Sequence, residues 1–231
     1  MDSLVVVAHP DDEVLGAGGT IYKLSQSGYC VNVCILSGEV HARNNRPTLE
    51  QLADDVKSSS EILGVKTVIN GHFPNIEFNT VPHLELVKFI EDVLVETKPD
   101  VVFTHHPGDL NNDHLHTSLA CQAAVRMFQR NPEIKPIKEL LFMEIPSATD
   151  WSLNRALGAF NPNVFVEIGN SGVDKKLEAL SQYRGVMRDY PHPRSSEALA
   201  GLAAYRGGQA GMKYAEAFES AFRRWEIGRT T

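Results

Sequence analysis

The hydrophobic residues of this 231-residue chain alternate between short apolar runs that stop abruptly and longer stretches with apolar positions three and four apart. The first pattern marks strands buried on both faces, and the second marks helices with one buried side. Residues 4–8, Leu4-Val5-Val6-Val7-Ala8, form the first run, and Pro10 prevents its continuation. Val14, Leu15, Ile21 and Leu24 then take up helical spacing in a segment over residues 13–27. Its Gly16, Gly18 and Gly19 lower helix propensity but let a helix lie close against a sheet, and Gly28 supplies a stop.

The alternation repeats along the chain. Residues 31–36 predict a strand, residues 48–63 a helix with Thr48 as N-cap and Gly64 as stop, and residues 66–70 a short strand. Beyond a turn-rich stretch, Leu84, Val87, Phe89, Ile90, Val93 and Leu94 mark the inner side of a helix that Pro99 closes. Residues 100–104 predict a further strand, which runs into a polar loop. The helix beginning near Asp113 places Leu115, Leu119, Ala123 and Met127 four apart as a core-facing stripe. Strands are expected over residues 139–145 and 163–168, and Ser171-Gly172-Val173-Asp174 has the form of a capping box for a helix through Tyr183. Pro191 and Pro193 exclude regular structure from residues 190–195. Two helical pieces are expected after that, separated by Gly207-Gly208, the second carrying Tyr214, Phe218, Phe222 and Trp225. With no internal repeat or low-complexity linker, residues 1–231 are read as one domain. Strand followed by helix, repeated, predicts an α/β, Rossmann-like fold: a mostly parallel sheet flanked by helices, with the active site at the carboxyl ends of the strands.

Composition narrows the classes. A 42% hydrophobic, 22% charged chain can bury a large core as one α/β domain. The net charge of −7, from 22 basic against 29 acidic residues, comes without a basic run, so no nucleic-acid partner is expected and a small, weakly charged substrate fits better. Cys30, Cys34 and Cys121 are odd in number and form no CxxC pair, which indicates neither a disulfide framework nor a sulfur zinc site. No secretory pattern opens the chain and no apolar run approaches about 18 residues, so a cytoplasmic protein without membrane insertion is expected.

The chemistry lies in the loops that such a fold gathers at one edge. The loop after the first strand carries His9, Asp11 and Asp12, and the loop after residues 100–104 delivers Asp113 and His114. Two imidazoles with one carboxylate and an open position make a usual first shell for catalytic zinc, which assigns His9, Asp12 and His114 as ligands of Zn2+. Asp11, beside a ligand but outside the set, is left to act as general base. Helix N-terminal acids favoured by the dipole would account for Asp113 but poorly for His9-Pro10-Asp11-Asp12. A dinucleotide site is disfavoured, because the glycines do not make G-x-G-x-x-G and three acids would repel a pyrophosphate. His105 and His106 are expected to face the site in support, and His41, His72 and His83 to lie on the surface. Arg43, Arg46, Asp113 and Arg194 are candidate substrate contacts.

Ala8-His9-Pro10-Asp11-Asp12-Glu13, followed by Gly16 to Gly19, by Asp113-His114 and by Pro191-His192-Pro193-Arg194-Ser195, resembles the LmbE-like (PIG-L-type) zinc de-N-acetylase family over most of the chain. The resemblance implies a Rossmann-like domain that hydrolyses the acetamido group of an N-acetylglucosamine-type sugar or conjugate. Zinc would be held at His9, Asp12 and His114, and Asp11 would be the base. Several members carry His-Pro-Asp-His where this chain has Asn111-Asn112-Asp113-His114, the first His helping to stabilise the oxyanion. Either Asn111 serves as a neutral donor, or His192 or Arg194 takes that place from the same or a neighbouring subunit of a homo-oligomer. Other zinc hydrolases, esterases among them, and a non-catalytic sugar-binding protein remain the competing classes.

Overall fold

The first apolar run is a strand buried at every residue: β1, Ser3–Val7. In the computed structural model, which describes residues 1–39, 47–153 and 158–225, β1 pairs in parallel with β2 (Val31–Ile35) on one side and β4 (Val101–His105) on the other. β3 (Thr67–Asn70) extends the sheet beyond β2, and β5 (Glu139–Met143) extends it beyond β4, again in parallel. The full order is β3-β2-β1-β4-β5-β7-β6, where β6 is Val164–Glu167 and β7 is Ala215–Arg223. The connections run outward one way through β2 and β3 and the other way from β4, so the strand order reverses between β1 and β4. At such a reversal the loops at the carboxyl ends of neighbouring strands lead off in opposite directions, which is where folds of this class place their sites.

The period of two along β1 decides the layers. Val5 and Val7 join the core beneath α1 (Asp12–Gln26), α2 (Leu49–Leu63) and α5 (Gly169–Gln182), while Leu4, Val6 and Ala8 join the opposite core beneath α3 (His83–Thr97) and α4 (Asn112–Ala124). α2 has the caps its sequence predicts. Thr48 Oγ1 accepts from Gln51 N, Gln51 Oε1 accepts from Thr48 N, and Gly64 ends the helix at φ 73°.

Four expectations need correction. On α3 the inner positions are Leu86, Val87, Ile90, Val93 and Leu94, while Leu84 is 64% exposed. On α4 the buried face is Asp113, His114, Thr117, Ser118, Ala120, Cys121 and Ala124; Leu119 and Ala123 face outward, and Met127 falls in a separate 3-10 turn. That face is polar and small because the helix must present His114 inward. α5 starts at Gly169 with no side-chain cap, so Ser171 and Asp174 form no capping box.

The largest difference is at the C-terminal side. α6 (Ser196–Ala210) runs unbroken through Gly207 and Gly208, and the residues after it form β7, not a helix. A Cβ at Gly207 would meet backbone atoms of Met212, Lys213 and Tyr214 within 2.6–2.9 Å, so this glycine permits close return of the chain and does not break the helix. β7 lies antiparallel between β5 and β6. Its Phe218 packs edge-on to Phe103 in the core, whereas Trp225 beyond it is 83% exposed. The apolar residues four apart were therefore not one helical face. β7 also carries Glu216, which accepts from Gly19 N at 3.0 Å, Thr20 N at 2.7 Å and Lys176 Nζ at 2.6 Å. Lys176 Nζ donates in turn to Leu15 O at 2.8 Å. This buried pair satisfies backbone groups that α1 leaves unpaired where it kinks at Ala17, φ −143°. The three cysteines are free thiols, and among the described residues no helix is long and apolar enough to cross a membrane.

Candidate metal centre

β1 ends at Val7, and the next four residues turn the chain into α1, the turn being tied to β4 where Ala8 N donates to His105 Nε2 at 2.9 Å. Asp11 is the residue before the helix, at φ 105° and ψ −26°. Its carbonyl accepts from Val14 N and Leu15 N, but its side chain makes no cap hydrogen bond. Asp11 is therefore not a capping residue of the ordinary kind, and its positive φ costs a backbone strain of about 1–3 kcal/mol.

Asp12 Oδ2 lies 3.2 Å from His9 Nδ1 and 3.2 Å from His114 Nε2. One ligand atom from each of these three buried residues falls within 4.8 Å of the other two. The far nitrogen of each ring meets a carboxylate: His9 Nε2 donates to Asp113 Oδ2 at 3.0 Å, and His114 Nδ1 stands 3.1 Å from Asp109 Oδ2. Protons on these outward nitrogens would leave His9 Nδ1 and His114 Nε2, the atoms that face Asp12, as the lone-pair donors once a metal displaces their own protons. Burial alone would lower the His114 pKa, but Asp12 and Asp109 raise it to about 10. Burial likewise opposes the raised pKa of His9, which its contacts with Asp113 and Asp12 produce. Burial would raise Asp12, yet the neighbouring imidazoles of His114 and His9 hold it well below the usual carboxylate range. Two imidazole nitrogens and one carboxylate oxygen, converging in a buried site that favours positive charge and backed by further carboxylates, fit a divalent metal.

The supporting residues are as well fixed as the ligands. Asp113, expected to contact substrate, has 0% of its surface exposed and accepts from Ile76 N at 2.6 Å and Phe78 N at 3.0 Å besides His9. Buried against these donors, it holds the His9 ring in place. Replacing it with asparagine is expected to weaken metal affinity about 10–100-fold, measured by competition with a chelator of known affinity. Asp109 accepts from Thr149 Oγ1 and Asn111 N. His105, driven to about 3 by burial and by His114, is neutral and stacks on the His114 ring at 3.9 Å. His105, Asp109 and His114 also cluster closely enough for a metal, but His105 Nε2 is committed to Ala8 N and Asp109 faces the outward side of His114. His106 points elsewhere, accepting from Gly108 N and lying 3.7 Å from Glu219.

Asn111 is the N-cap of α4, its Oδ1 accepting from Asp113 N at 2.9 Å, so its side chain starts the helix that delivers His114. Arg194 enters from the loop before α6. Its Nη1 is 3.4 Å from Asp11 Oδ2 and its Nε donates to Ser147 Oγ at 2.7 Å. His192 sits behind it, Nδ1 accepting from Arg194 N at 3.0 Å, with Trp151 edge-on at 5.4 Å. Arg43, Arg46 and His41 lie outside the described residues; His72 and His83 are exposed, as expected. Sequence reasoning gave no role to Asp109, Glu13 or Tyr183. Asp109 was findable, because a ligand histidine near an acidic loop calls for a carboxylate at its second nitrogen. Tyr183, whose hydroxyl meets Glu13 Oε1 at 2.5 Å, carried no such signal.

The family model described as PIG-L, GlcNAc-PI de-N-acetylase, matches residues 4–125, the stretch from β1 to just past α4 that holds every member of the metal cluster. The chain is 28% identical over 225 residues to the diacetylchitobiose deacetylase of Thermococcus kodakarensis, covering 92% of this chain and 80% of that one. Its fold matches the crystal structure of a conserved protein from Thermus thermophilus with TM-score 0.80 and 27% identity, over 100% of this chain and 99% of the other. The 4-carboxy-2-hydroxymuconate hydratase of Pseudomonas putida matches with TM-score 0.78 and 23% identity over 98% of each chain, a likeness of fold alone.

Proposed function

Because this chain belongs to the PIG-L family of GlcNAc-PI de-N-acetylases, we propose that it is a zinc-dependent hydrolase that removes the acetyl group from an N-acetylglucosamine-type sugar or glycoconjugate. The observation that carries the reading is the convergence of His9 Nδ1, Asp12 Oδ2 and His114 Nε2, with the Asp11 carboxylate one residue away and outside the ligand set. His9, Asp12 and His114 would hold zinc, which when bound would supply Lewis-acid activation of a water and of the acetamide carbonyl. Asp11 takes the proton from the attacking water as its oxygen bonds to the carbonyl carbon. It then gives that proton to the sugar nitrogen as the carbon–nitrogen bond breaks, which releases acetate and a free amine.

The loop over residues 190–195 supplies what Asn111 does not. With Nδ1 accepting from Arg194 N, His192 carries its proton on Nε2 and is a neutral donor; burial and the charge of Arg194 lower its pKa. We assign His192 to the oxyanion and Arg194 to substrate contact. His192→Ala is expected to lower turnover about 10²–10³-fold with metal content unchanged. Unchanged turnover would remove His192 from the mechanism.

We read it as a cytoplasmic homo-oligomer in which the loop over residues 190–195 and the exposed Trp225 could pack between subunits. The reading is tested by measuring metal per chain alongside amine release from a panel of N-acetylated sugars. Stoichiometric zinc with amine release is the expected result. A metal-free protein that still binds sugar, or release from esters only, would replace it.

A further inference from the structure

A non-glycine residue at positive φ persists only where its surroundings over-determine it, and Asp11 stands at φ 105°. Its restraint comes from far along the chain. Glu13, 3% exposed, turns back so that Oε2 accepts from Asp11 N at 3.1 Å, while Oε1 meets the hydroxyl of Tyr183 at 2.5 Å. Tyr183, 1% exposed, directly follows α5 and packs in the core that α1, α2 and the sheet share. The next residue anchors that point to α2, where Arg184 N donates to Asp55 Oδ2 at 3.1 Å. The Asp11 amide is thus referenced to the end of α5 through the buried side chains of Glu13 and Tyr183, and from there to α2 through Asp55; none of the three belongs to the His9, Asp12 and His114 cluster.

We propose that Glu13 and Tyr183 are positioning residues for the general base, holding the Asp11 main chain so that its carboxylate stays off the helix end and faces the reacting water. The inference rests on the reading of Asp11 as base. A carboxylate whose backbone is released can relax toward an ordinary helix cap, and a displacement of about 1 Å can cost on the order of 10²-fold in rate. The fixed amide is therefore worth more to turnover than to binding of substrate or metal.

The test is Tyr183→Phe, made in the native chain and again in Asp11→Asn, with kcat, KM and metal per chain measured for each. The expected result is a kcat lowered by about 10–10²-fold in the native chain, with KM and metal content unchanged. In the Asp11→Asn chain the same substitution should leave residual turnover where it is, because a residue that acts only through Asp11 has nothing further to remove. Glu13→Gln, which keeps a carbonyl acceptor for Asp11 N, should lose less kcat than Glu13→Ala. An unchanged kcat in Tyr183→Phe, a parallel loss of metal, or a further drop of equal size in the Asp11→Asn chain would overturn the proposal. Native turnover in Asp11→Asn alone is a separate outcome, which removes the base assignment and this inference with it.

Discussion

Replacing Asp11 with asparagine is expected to lower turnover by about 10²–10⁴-fold while one metal ion per chain is retained. Asparagine keeps the shape of the side chain and, of the non-glycine residues, is among the most tolerant of positive φ, so the turn at φ 105° survives. The amide can still face Arg194 Nη1, which lies 3.4 Å from the carboxylate in the native chain. What it cannot do is accept a proton from water and return it to the departing amine. His9, Asp12 and His114 are untouched, so the metal stays. Metal analysis and an amine-release assay on one preparation decide the matter, and normal turnover in this variant would move the base elsewhere.

The second large effect is expected at Asp12. Its Oδ2 lies 3.2 Å from both His9 Nδ1 and His114 Nε2 and accepts from His9 N at 3.0 Å. Asp12→Ala therefore removes the anionic member of the His9, Asp12 and His114 cluster and the group that stands between its two imidazoles. The expected outcome is a chain that purifies without metal and shows no activity above background, and that is not rescued by added zinc. Treating the native chain with a strong chelator should give the same loss, but here zinc should restore activity. Full metal occupancy in Asp12→Ala, measured on protein passed through a desalting column, would show that the site is not built around this carboxylate.

The likeness in fold to a hydratase shows why the site has to carry the functional argument. One sheet order with loops gathered at one crevice can host different reactions, and the residues in those loops choose among them. Here the proposed reaction rests on His9-Pro10-Asp11-Asp12 and on His114, about a hundred residues later.

Much of the frame was legible because it depends on local physics. The caps of α2 are read from Thr48, Gln51 and Gly64, whose partners lie within a few residues. The strand β1 is read from an apolar run that Pro10 ends. Where a helix face or strand depends on distant partners, the pattern misled. The spacing of Tyr214, Phe218 and Phe222 looked helical, but two neighbouring strands recruit that segment into the sheet as β7. Leu119 and Ala123 looked like core, but the side of α4 that turns inward is the one bearing His114.

The sequence by itself determined the edge of the sheet where His9, Asp11 and Asp12 would lie, because the strand, the turn and these three residues are coded within a few consecutive positions. Only the tertiary structure decided which groups support them. Asp113 holds His9, Asp109 holds His114, Asn111 caps a helix, and Tyr183 reaches Glu13 from 170 positions away. The physical reason is that such hydrogen bonds exist only after strand order and helix packing have brought distant side chains within about 3 Å, a distance over which hydropathy patterns carry no information.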